Sequence, residues 1–129
     1  MPFNWKDFLT LAENLQAAPD NPGPSEAALR SATSRAYYAA FHAAVELGQK
    51  WGFMPKGSGD DHKDIRIYFL KSAPADEKKK TISNQLDRLY DLRRQADYEK
   101  NPTKKTEYMA VYAIGMAKKV FVCIDALSE

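Results

Sequence analysis

Apolar residues return every three or four positions along this chain, in five stretches separated by clusters of proline, glycine and serine. That spacing marks one buried face of a helix, because a helix turns once in 3.6 residues. In the first stretch Trp5, Phe8, Leu9, Ala12 and Leu15 carry the pattern, which predicts a helix over Asn4 to Ala18. Pro19 to Pro24 then holds three prolines and a glycine and must be a loop. A second helix is predicted from Ser25, whose hydroxyl can cap free N–H groups, with Glu26 favourable in the first turn. It runs to Lys50 or Trp51 and is rich in alanine, the best helix former.

The break from Gly52 to Gly59 leads into a short helix over Asp60 to Lys71, with Ile65, Tyr68 and Phe69 facing inward. After Ser72-Ala73-Pro74 a fourth helix is predicted from Pro74 or Ala75 to Tyr98. Pro74 suits a first-turn position, where its missing N–H costs nothing. Ile82, Leu86, Leu89, Leu92 and Ala96 make its stripe. Beyond Asn101-Pro102-Thr103 a fifth helix runs to Leu127. Its expected inner face uses Tyr108, Val111, Ile114 or Gly115, Ala117 or Lys118, Phe121, Ile124 and Leu127. No alternating strand pattern competes. Short connections favour antiparallel neighbours, so the expectation is an all-α, up-and-down helical bundle. It would have four long helices plus one short inserted helix, as a single domain over residues 1–129.

Composition narrows the function. Apolar residues are 44% and charged residues 28%, ordinary for a globular chain. A net charge of +2 is too small for nucleic-acid binding by bulk electrostatics, so any basic site must be local. The run Glu77-Lys78-Lys79-Lys80 reads as a solvated helix start. The single cysteine, Cys123, cannot form an internal disulfide and sits in an apolar run, which suits a small buried side chain. The N-terminal residues lack the basic-then-apolar order of a secretion signal. No run approaches the roughly 18 apolar residues that span a bilayer. The expectation is a cytoplasmic protein without a membrane partner. There is no Walker loop, dinucleotide glycine motif, His-Glu-x-x-His pair or Gly-x-Ser-x-Gly elbow. Two histidines and one cysteine argue against a zinc site, and no cofactor or metal is expected.

Two stretches carry candidate chemistry. In Ser34-Arg35-Ala36-Tyr37-Tyr38-Ala39-Ala40-Phe41-His42, helical spacing puts Arg35, Tyr38 and His42 on one face, with Tyr37 and Phe41 on the next. An arginine inside so alanine-rich a helix needs a partner or water. It either pairs with an acidic group on another helix or lines a site. In Leu89-Tyr90-Asp91-Leu92-Arg93-Arg94-Gln95-Ala96-Asp97-Tyr98, Arg94 lies three residues before Asp97 and four before Tyr98. One reading is an exposed ion pair that also complements the helix C-terminus. The other is a guanidinium, a carboxylate and a phenol presented together. The arginine fork would suit phosphate, and the tyrosine would stack on a base. His62, within Gly59-Asp60-Asp61-His62-Lys63-Asp64, reads as a capping or surface histidine beside acidic residues.

These segments together resemble the HEPN (higher eukaryotes and prokaryotes nucleotide-binding) domain family, in its small stand-alone prokaryotic branch. The residues that carry the likeness are Ser34 to Ala44, then His62-Lys63 with Tyr68-Phe69-Leu70, then Leu92 to Tyr98. Their order and spacing cover residues 5 to 127. The resemblance implies a helical bundle that forms a homodimer. It also implies a minimal nucleotidyltransferase partner in a toxin–antitoxin or defence pair. Many members are metal-independent ribonucleases with an arginine, then four to six residues, then a histidine. Here Arg93 and Arg94 stand at the arginine position, but counting on from Arg94 reaches Glu99, Lys100, Asn101 and Pro102, with no histidine. The implied function is thus a nucleotide-, RNA- or partner-binding module lacking the full ribonuclease motif, with Arg35, Tyr38, His42, Arg94, Asp97 and Tyr98 as its site. The alternatives are a ribonuclease toxin with Arg94 as catalytic group and Tyr98 or His42 as proton carrier, or a purely dimerising interaction protein.

Overall fold

The computed structural model describes residues 3–18, 23–102 and 104–128. Five helices follow in order: α1 (Lys6–Gln16), α2 (Glu26–Lys50), α3 (Asp61–Lys71), α4 (Glu77–Tyr98) and α5 (Thr106–Leu127). The described residues contain no strand, and the fold is an all-α bundle. Three helices are long, with 25, 22 and 22 residues, while α1 and α3 have 11 each. The expectation of four long helices therefore gives way to three. The first apolar stretch yields only three turns: Asn4 Oδ1 accepts from the Lys6 N–H at 3.0 Å where α1 begins, and Ala17 ends it.

The start of α2 matches its sequence signal. Ser25 Oγ accepts a hydrogen bond from the Ala28 N–H at 3.1 Å, and Glu26 complements the positive helix end. The start of α4 does not. Pro74 stays outside the helix, which begins at Glu77, because the Asp76 carboxylate caps it by accepting from the Lys78 N–H at 2.6 Å. The lysine run that follows is not wholly solvated either. Lys79 is buried: its Nζ lies over the Trp51 ring and donates to the Pro74 carbonyl at 2.8 Å.

The expected stripes of α3 and α4 are buried in the core, except that Tyr68 is half-buried. On α5 the inner face is Met109, Ala110, Ala113, Ile114, Ala117, Val120, Phe121 and Ile124, whereas Tyr108 and Val111 are exposed. This segment is apolar almost all round, so two registers fit its periodicity. Packing settles on the one with more alanines. It faces α2, which buries Ala32, Ala36, Ala39, Ala40 and Ala44, and small side chains on both helices allow close approach. Cys123 is half-buried rather than buried, and its desolvation raises the thiol pKa. Among the described residues, α2 is the one helix that touches all four others. No described helix is long and apolar enough to cross a membrane.

One cross-helix contact fixes the far end of α4. The last turn of a helix leaves carbonyls without partners. Arg30, on α2, reaches across and donates from Nη1 to the carbonyls of Ala96 (2.9 Å) and Glu99 (2.7 Å), and from Nη2 to Lys100 (3.1 Å). Its Nε also pairs with Glu26 at 3.3 Å. The turn carrying Asp97 and Tyr98 is thereby tied to the first half of α2.

Candidate functional site

Where α2, α3 and α4 meet, polar and aromatic side chains gather around Tyr38. Arg93 Nη2 donates to the Tyr38 hydroxyl at 2.6 Å and makes a longer contact, 3.5 Å, with the Tyr98 hydroxyl. Arg93 Nε lies 3.0 Å from Asp97 Oδ2 as an ion pair one helical turn on, and Ser34 Oγ donates to that same oxygen at 3.3 Å. The Arg93 guanidinium also covers the Tyr38 and Tyr98 rings at 5.2 and 5.3 Å. Burial works against its charge, but Tyr38, Tyr98 and Asp97 outweigh that and raise its pKa. Tyr98 is 71% exposed at the rim.

A second guanidinium, that of Arg35, lies 5.4 Å from the Tyr38 ring centre and 5.0 Å from that of Phe8. Among the described residues no carboxylate pairs with it. The reading in which Arg35 meets an acidic group on another helix is replaced by cation–π contacts, which leave its N–H fork unspent. His42 stacks on Trp5 at 4.0 Å between ring centres and lies 5.9 Å from the Tyr38 ring. Burial and the Arg35 charge both lower its pKa, so it is held neutral.

The third component comes from α3. His62 is not a surface cap. Its ring stacks on Phe41 at 4.5 Å and lies 5.2 Å from Tyr90, and its Nδ1 is hydrogen-bonded to the Tyr37 hydroxyl. Tyr37 is buried in the core, and burial drives its pKa up, so it stays a neutral phenol. Burial lowers the pKa of His62, and Arg93 is the strongest charge acting in the same direction. One turn later Arg66 donates to the His62 carbonyl at 3.1 Å, pairs with Asp87 and covers the Tyr90 ring at 5.8 Å. The loop before α3 is held by Asp61, whose carboxylate accepts from the Lys56 and Gly57 N–H groups at 2.8 Å each. Those bonds keep its pKa below the usual range.

Of the residues singled out from the sequence, Arg35, Tyr38, His42, Asp97 and Tyr98 are linked through Tyr38 and Arg93. Arg94 is not: it is exposed, and none of these contacts involves it. Its expected pairing with Asp97 belongs to Arg93. The signal was available in the spacing. Arg93 lies four residues after Leu89 and three before Ala96, both buried, so it flanks the inward stripe. Arg94 lies five after and two before them, and turns to solvent. His62 was legible in the same way, three before Ile65 and seven before Phe69, both buried. Ser34 and Tyr37 gave no such signal, because their partners sit on other helices.

The site thus holds three guanidinium groups and two neutral imidazoles among aromatic rings, with Asp97 paired to Arg93 and Asp87 to Arg66. Its spare donors suit an anion, and its rings suit a flat aromatic group. Among the described residues no group of three His, Cys, Asp or Glu side chains could hold a metal ion. No family model, curated protein or solved structure matches the chain.

Proposed function

We propose that this chain is a HEPN-like module that binds the phosphate of a nucleotide or of single-stranded RNA, on the face formed by Arg35, Tyr38, His42, Arg93, Asp97 and Tyr98. The observation that carries the reading is the pair of arginines on one ring. Arg35 and Arg93 both lie within 5.4 Å of the Tyr38 centre, and Asp97 neutralises only Arg93. Two like charges held together with one carboxylate leave an excess positive charge, and Arg35 keeps its fork for an oxyanion. Tyr98 at the rim offers a face on which a base can stack. The resemblance in sequence adds the expectation of nucleotide chemistry. It alone carries the homodimer and the nucleotidyltransferase partner, which sedimentation and co-purification would test.

The test is fluorescence anisotropy with a labelled single-stranded RNA, and a titration with a mononucleotide. Arg35→Ala and Arg93→Ala should each weaken binding by about tenfold or more, the worth of a charge-assisted hydrogen bond. Wild-type binding that neither substitution weakens would sink the reading.

A second reading is a metal-independent ribonuclease. It is favoured by two histidines around the Tyr38 ring, His62 from α3, on which the Arg93 charge acts, and His42 from α2, 5.9 Å from that ring, where the fourth helix itself has none. Cutting of end-labelled RNA in the presence of a chelator, lost in Arg93→Ala, would support it. The absence of cutting by a wild type that binds RNA would leave the binding module.

A further inference from the structure

The bond between Tyr37 and His62 fixes more than a ring position. Tyr37 is almost wholly buried, and a buried phenol needs an acceptor for its proton. The His62 Nδ1 is the acceptor in reach, so the natural arrangement has the Tyr37 O–H donating and Nδ1 holding the lone pair. In a neutral imidazole the other nitrogen then carries the hydrogen. The two ring nitrogens point away from each other. With Nδ1 turned to Tyr37, Nε2 of this half-buried ring has no protein partner among the described residues and is not sealed from solvent. An imidazolium would put hydrogens on both nitrogens, so Tyr37 would lose its acceptor. Arg93 adds charge repulsion to that cost.

We propose that Tyr37 is a positioning residue that locks His62 as the Nε2–H tautomer, and that His62 so locked is a neutral hydrogen-bond donor to the phosphate bound beside Arg93. This rests on the binding reading above and gives it a second donor, from α3. It also bears on the ribonuclease reading. A neutral Nε2–H imidazole has no lone pair facing the ligand, so His62 cannot take a proton from a ribose hydroxyl while Tyr37 holds it.

Nitrogen-15 NMR of the 129-residue chain at neutral pH reads the tautomer directly. The wild type should show His62 with hydrogen on Nε2, and Tyr37→Phe should show both tautomers. Hydrogen on Nδ1, or an imidazolium, in the wild type would overturn the lock. Titration with a short single-stranded RNA tests the donor. The His62 Nε2–H signal should move with saturation. His62→Leu should bind about tenfold more weakly. His62→Gln, whose amide N–H can stand near the Nε2 position, should recover most of that loss. RNA binding with unmoved His62 signals and an unaffected His62→Leu would overturn the donor role and leave the binding reading intact. No RNA binding by wild type would overturn the binding reading and the donor role together, while the tautomer is still decided by the spectrum of the free protein.

Discussion

Adjacent arginines at 93 and 94 are chemically identical, yet a rotation of one residue about the helix separates their roles. Arg93 is largely covered by Tyr38, Tyr98 and Asp97, and Arg94 is exposed. Arg94→Ala should therefore change RNA affinity by no more than a few-fold, through loss of a screened surface charge, against about tenfold for Arg93→Ala. Equal losses in the two variants, measured by anisotropy at the same salt, would mean that bulk charge and not the site binds RNA. Arg30 acts at the same scale. Its guanidinium holds the last carbonyls of α4, and Arg30→Ala should cost about 1.5–3 kcal/mol in urea unfolding, the range for hydrogen bonds to a charged group. It should also weaken ligand binding, because the turn carrying Asp97 and Tyr98 loses its tie to α2.

Helix boundaries followed local chemistry where a capping side chain was present and departed from it where two signals competed. Ser25 starts α2 as its sequence implies, and Ser25→Ala should cost about 1 kcal/mol of stability. An unchanged urea midpoint would show that the cap is redundant. At the start of α4, Pro74 looked like the initiator, but the Asp76 carboxylate caps the helix two residues on. A side-chain carboxylate that satisfies an N–H wins over a ring that merely tolerates the first turn. On α5 the apolar pattern was too full to choose a face, and Tyr108 and Val111 went to solvent because the alanine face fits α2 more closely.

For the whole molecule, the two half-buried histidines set a pH dependence. Burial and neighbouring arginines lower both pKa values below the ordinary 6.5. Between the lowered pKa and 6.5 the unfolded chain binds more protons than the folded one. Stability is therefore complete above that range, falls as the pH drops through it, and stops falling from this source below the folded-state pKa. Urea midpoints should decline from neutral to mildly acidic buffer, and His42→Gln with His62→Gln should flatten the decline. A midpoint that rises on acidification would contradict the burial of these rings.

The sequence by itself determined the helices and most of what they bury. Helix formation and amphipathic spacing are local, and a stripe such as Ile82, Leu86, Leu89, Leu92 and Ala96 has one side to hide. It also marked out Arg35, Tyr38 and His42 as one face, because three residues on one helix have a fixed relation. The spacing turns Arg93 and His62 toward the inner faces of α4 and α3, but only the tertiary structure decided that they meet Tyr38 and Tyr37 of α2 there. The same holds for Tyr37 taking its proton partner 25 positions away, and for Arg30 closing α4 from across the bundle. Those contacts join residues far apart in the chain. Their geometry depends on how the helices cross, and a periodic pattern within one helix holds no record of that.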